Sequence, residues 1–124
     1  MHQLSTFQVY NASAGSGKTF TLVKQYLKVL LTSDDLFMFQ KVLAITFTNK
    51  AAGEMKERVL SNLEAFSEGN TNDLLKIILE ETTLDTPIIK KRSKKILNAI
   101  LQNYSAFSIT TIDSFTHKII KSFA

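Results

Sequence analysis

Cysteine is absent from this chain, which excludes a disulfide framework and any thiolate metal site. The absence suits a reducing, cytoplasmic setting. Histidine is scarce: only His2, in a terminal stretch, and His117, on the expected surface of a helix, are present. No metal is therefore expected beyond a Mg²⁺ ion carried in by a ligand. Proline occurs once, at Pro87, and of four glycines three (Gly15, Gly17, Gly53) fall inside motifs. So few breakers leave most of the chain to regular secondary structure. No uncharged run approaches the ~18 residues a membrane span needs, and MHQLSTFQVYNAS lacks the charged start and apolar stretch of a signal peptide. No membrane partner is expected. There is no repeat and no low-complexity tract. What remains is an ordinary globular composition, 44% hydrophobic and 21% charged over 124 residues, enough for one domain. The net charge of +4 leans toward polyanionic partners but decides little alone.

The hydrophobic pattern predicts strands alternating with helices. Phe7, Val9 and Tyr10 form a short strand that runs into the small-residue loop Asn11 to Gly17. Leu22, Val23, Tyr26, Leu27, Leu30 and Leu31 then recur at helical spacing. Val42 to Phe47 is an apolar run of strand length, as expected of a parallel strand covered on both faces. A helix follows with Ala52, Met55, Val59, Leu63 and Phe66 along one stripe. Ser67 to Asn72 reads as a polar loop and Leu74 to Leu79 as helix. Asp85-Thr86-Pro87 reads as a helix start with proline in the first turn. Ile88, Ile89, Arg92, Ile96, Ala99, Ile100 and Asn103 share a helical face. Phe107 to Ile112 is the last strand, and Asp113 caps a helix carrying Phe115, Ile119, Ile120 and Phe123. The expected fold is α/β, a parallel sheet flanked by helices.

Between the first strand and the first helix stands Ala12-Ser13-Ala14-Gly15-Ser16-Gly17-Lys18-Thr19, in the context that a phosphate-binding loop requires. A triphosphate needs several backbone N–H donors converging on one small space, without Cβ atoms in the way. Small residues permit that turn, and the helix adds its positive N-terminal end. Lys18 can offer a point charge to the β- and γ-phosphates, and the Thr19 hydroxyl can ligate Mg²⁺. Alanine replaces the first glycine of the strict pattern, which restricts that position to negative φ. The bland alternative is a chance glycine-bearing turn with an exposed lysine.

These eight residues resemble the P-loop of UvrD/Rep-type and RecB/AddA-type superfamily 1 DNA helicases. The resemblance extends through Val42 to Val59, similar to that family's second signature block. It reaches Thr110-Thr111-Ile112-Asp113-Ser114-Phe115, similar to the next block in the form of the RecB/AddA helicase-nuclease branch. It implies a P-loop NTPase of RecA-like fold, here an incomplete first motor domain spanning 1–124, with a helical insert at about 67–104. It also implies ATP and Mg²⁺ as cofactors, with Ala12 to Thr19 as the nucleotide site and Lys18 and Thr19 as its catalytic residues. The implied parent is an ATP-dependent helicase, with room for exonuclease activity, moving along single-stranded DNA or from DNA ends in recombination or repair. Its implied partners are the remainder of the parent chain and a helicase-nuclease partner subunit. Phe47, Thr48, Asn49, Thr111, Asp113, Ser114 and Phe115 are the implied DNA contacts. Most have a plainer alternative: Phe47 as a core aromatic, Thr48 and Asn49 as a helix cap, and Asp113 to Phe115 as a helix cap plus a core phenylalanine.

Hydrolysis needs an acid at a strand end to hold Mg²⁺ and a group that orients water. Asp113 ends a strand with no second acid after it, and Glu80-Glu81 is marked as helix by its periodicity and by Lys76. The apolar end Ile119 to Ala124 reads as the interior of a longer protein, so the chain is expected to be an N-terminal fragment that hydrolyses little. The basic run Lys90, Lys91, Arg92, Lys94 and Lys95 spreads over several helix faces and is expected to be solvated, with a secondary DNA contact as the alternative. Two rival functions stand beside the helicase: a small P-loop kinase, and a non-catalytic nucleic-acid-binding module using the basic helix.

Overall fold

A computed structural model of the chain describes residues 7–9, 17–46, 48–107 and 109–111. Three strands, β1 (Phe7–Val9), β2 (Leu43–Thr46) and β3 (Ile109–Thr111), pair in parallel in the order β1-β2-β3. Phe7 lies opposite Leu43 and Val9 opposite Ile45; Ala44 lies opposite Ile109 and Thr46 opposite Thr111. Four α-helices, α1 (Gly17–Thr32), α2 (Asn49–Ser67), α3 (Asp73–Glu81) and α4 (Thr86–Gln102), and two 3₁₀ turns, Met38–Gln40 and Tyr104–Ala106, complete the described elements. The strands are short because neighbouring turns claim their amides. Val42 donates its N–H to Met38 O at the end of a 3₁₀ turn, and Phe107 donates to Tyr104 O at the end of another. The expected strands therefore lose Val42 at one start and Phe107 at the other, although both side chains stay buried.

Each helix end has a local cause. Thr48 caps α2, its hydroxyl accepting from Ala51 N at 3.0 Å. Asn72 caps α3 by accepting from Leu75 N, and Asp73 adds a negative charge to that positive end. Asp85 caps α4 by accepting from Ile88 N, with Pro87 in the first turn, where its missing N–H is not needed. α2 stops at Ser67; beyond it Gly69 N donates to Phe66 O, and the φ of +82° at Gly69 lets Asn70 N reach Ala65 O. This left-handed turn satisfies carbonyls the helix leaves open, and a Cβ there would be strained. The end of α1 is held from outside: Arg92 on α4 donates to Leu31 O at 2.7 Å.

The helices pack on their apolar stripes. α2 makes its most extensive contact with α4. Met55, Val59, Leu63 and Phe66 from the one, and Ile89, Ile96 and Ile100 from the other, are all at most 2% exposed. α1 buries Leu22, Val23, Tyr26, Leu27, Leu30 and Leu31. The Tyr26 ring lies 6.0 Å from Phe107, which meets Phe39 edge-on. Burial pushes the Tyr26 phenol above its ordinary range, and its hydroxyl donates to Phe39 O. Glu81 at the end of α3 receives Lys24 and Lys28 of α1 at 3.2 and 2.9 Å. Those hydrogen bonds hold its carboxyl below its usual range. Any stability they add is present above the unfolded pKa and fades as pH falls through the folded one.

The expected face of α4 needs one correction. Ile88 is 40% exposed, and the buried position one turn after Ile89 belongs to Ser93, at 0%. Ile88 sits at the edge of the stripe whose centre runs through Ile89, Ser93, Ile96 and Ile100. The Ser93 hydroxyl has no hydrogen-bond partner in the described structure. Ser93→Ala is therefore expected to raise stability by about 1 kcal/mol, from relief of an unsatisfied polar group and better helix propensity. A higher urea midpoint with an unchanged m-value checks it; a lower midpoint would mean the hydroxyl has a partner.

The candidate nucleotide and DNA edge

The C-terminal ends of the three strands share one sheet edge, since Val9, Ile45, Thr46 and Thr111 are tied by parallel register. Open α/β sheets place ligands at such an edge. Val9 is joined to Gly17, the first residue of α1, by 10–16, which include Ala12, Ser13, Ala14, Gly15 and Ser16 and lie outside the described residues. Gly17, Lys18 and Thr19 form the opening of α1. The loop therefore leads from a strand end into the N-terminus of a 16-residue helix, whose positive end suits an anion. Thr19 is buried, at 1% exposure. Phe20 follows it in the first turn and is 39% exposed, a position the apolar periodicity did not single out. Phe20 borders a cavity of about 280 Å³ shared with Val23, Arg58, Asn62 and Asn72.

The second strand brings its own polar groups to the same edge. Thr46 is 1% exposed and donates its hydroxyl to Thr48 O at 3.1 Å. Thr48 spans from that bond to its cap on Ala51 N. Thr48 and Asn49 are both exposed, so capping leaves their outer surface accessible. Gly53, in the next turn, has open space where a Cβ would stand. Thr111 arrives at this edge opposite Thr46. Phe47, Asp113, Ser114 and Phe115 lie outside the described residues, as do His2 and His117.

The other candidates lie elsewhere. Glu80 and Glu81 belong to α3, and Glu81 is engaged by two lysines of α1. Of the basic run, Lys90, Lys91, Lys94 and Lys95 are exposed, but Arg92 is half-buried and bound to Leu31 O. That last contact corrects the expectation of a wholly solvated run. Among the described residues no group of three or more His, Asp or Glu could hold a metal ion. None of their helices is long and apolar enough to cross a membrane.

Comparison with known proteins adds to this geometry. The chain is similar to an ATP-dependent helicase/nuclease subunit of Clostridium perfringens strain 13, 34% identical over 90% of this chain and 7% of the relative. The corresponding helicase/nuclease subunit of Streptococcus suis is 35% identical over 91% of this chain and 8% of its own. The RecBCD enzyme subunit RecB of Borreliella burgdorferi is 34% identical over 85% of this chain and 9% of its own. The chain thus spans under a tenth of the length of these relatives. No solved structure matches. The profile of the UvrD/REP helicase N-terminal domain covers residues 2–124, and the chain therefore belongs to that family of P-loop NTPases.

Proposed function

We propose that this chain is the nucleotide-binding, N-terminal part of an ATP-driven DNA helicase motor of the helicase-nuclease branch. Residues 1–124 form part of its first, RecA-like domain, with 67–104 as a helical insert. The observation that carries the reading is the sequence Ala12 to Thr19, set between the end of β1 and the first turn of α1. The relatives' names, an ATP-dependent helicase/nuclease subunit and a RecBCD enzyme subunit, support ATP use and a multi-subunit setting; to these we add DNA as substrate and a cytoplasmic recombination or repair role.

Bound Mg²⁺·ATP would supply the energy of phosphoanhydride cleavage. This chain's contribution is to hold and sense it. The amides of Gly15 to Thr19 receive the phosphates, and Lys18 adds a charge to the terminal groups. Thr19, buried in the first turn, is the residue whose hydroxyl would ligate the phosphate-bound cation. Phe20 offers an apolar face one residue further on. Without a second acid, and without an arginine from another domain, the chain alone is expected to hydrolyse ATP at background rate.

Phe47, Thr48 and Asn49, with Thr111 and Asp113 to Phe115 as a second wall, are the proposed contacts to single-stranded DNA. An aromatic ring at a strand end can stack on a base while small polar groups hold phosphates. Short connections would then link the phosphate end of the nucleotide to the strand of DNA, as a translocating motor requires. Phe47→Ala is expected to weaken single-strand binding by ~1–3 kcal/mol with an unchanged salt slope. Fluorescence anisotropy with oligothymidylate at several salt concentrations reads both quantities. Unchanged affinity in a folded variant would remove Phe47 from the DNA path.

A further inference from the structure

A second surface lies away from that edge, where the connection leaving α1 crosses α4. A groove of about 440 Å³ opens there, with Leu36 on one wall and Ile88 and Ile96 on the other. Leu36 and Ile88 are 38% and 40% exposed, and Ile96 closes the floor at 2%. Single exposed aliphatics are ordinary on a protein surface. These meet across a concavity large enough for one or two aliphatic side chains.

Lys91 and Lys95 stand one turn apart on the rim. Both are exposed, and neither has an ion-pair partner among the described residues. Arg92 between them is occupied, donating to Leu31 O at 2.7 Å and meeting Asp34 at 3.5 Å. It ties the connection to α4, so the groove is formed before any ligand arrives and binding need not pay for ordering it.

We propose that this groove docks a segment of another protein that presents an aliphatic side chain flanked by carboxylates. The aliphatic group fills the space between Leu36 and Ile88, and the carboxylates meet Lys91 and Lys95. Nucleic acid fits less well. No aromatic side chain lines the groove for a base to stack on.

The test titrates the 124-residue chain with a fluorescein-labelled helical peptide carrying two leucines one turn apart among glutamates. A peptide with lysines for the glutamates and a single-stranded oligothymidylate serve as comparisons, followed by NMR to locate each ligand. The acidic peptide is expected to saturate the chain, with shift changes centred on Ser33 to Leu36 and Ile88 to Ile96. Lys91→Glu with Lys95→Glu should weaken it about tenfold or more. Ile88→Ser, at an exposed position that should not disturb folding, should weaken it by a similar factor. The lysine peptide should not bind. Absence of saturation at millimolar peptide, indifference to both variants, or preferential occupation of the groove by oligothymidylate would overturn the proposal.

Discussion

Leu63→Ala is expected to destabilise the chain by about 2–5 kcal/mol, the range for emptying a fully buried leucine site. Leu63 is 0% exposed and sits on the stripe by which α2 meets α4, the most extensive helix contact among the described elements. Its neighbours along that stripe, Val59 and Phe66, are themselves closed in, so little can move to fill the space. Domains of this kind have about 5–15 kcal/mol in total, which makes the loss a large part of the whole. Leu101, on α4 but 58% exposed, provides the comparison: Leu101→Ala should stay within about 0.5 kcal/mol. Urea unfolding of the two variants reads the difference directly. Equal effects would mean that α2 and α4 do not form the core as described.

The second large effect concerns the ligand. Lys18→Ala is expected to lower affinity for Mg²⁺·ATP by about 1.5–3 kcal/mol, the worth of one hydrogen bond to a charged group. Lys18 is the second residue of α1, in its first turn. There a cation is unfavourable by about 0.3–1 kcal/mol until an anion arrives. Stability without nucleotide should therefore hold or rise in the variant while binding falls. That opposite movement separates a ligand-holding lysine from one that merely supports the fold. Calorimetric titration and a urea curve on the same two proteins give both numbers.

The helices were legible because their apolar residues recur at helical spacing and their caps are local chemistry. Asp85 and Pro87 announce α4, and the stripe from Ala52 to Phe66 announces α2; the α2 stripe is buried as read, whereas on α4 Ile88 is exposed and Ser93 takes a buried place. Strand limits were less legible, since Val42 and Phe107 look like strand residues and yet give their amides to turns. Thr48 shows how two readings coexist: its hydroxyl caps α2 while its surface remains open at the sheet edge. Arg92 could not be assigned from the run of basic residues, because its partner, Leu31 O, lies 61 residues away. For the same reason the groove beside it has no sequence signature: its walls come from Leu36, in the connection after α1, and Ile88, 52 residues further on. Phe20 was passed over because an exposed aromatic in a first turn fits no apolar stripe.

Hydrogen exchange of the 124-residue chain, alone, with Mg²⁺·ATP and then with added oligothymidylate, tests the central claim most directly. The predicted result is protection of the Ala12 to Thr19 amides by nucleotide, abolished by Lys18→Ala. The DNA should add protection at Phe47 to Asn49 and Thr111 to Phe115. Protection by DNA confined to Lys90 to Lys95, indifferent to nucleotide and to Lys18, would contradict it and leave a basic nucleic-acid-binding module in place of a motor.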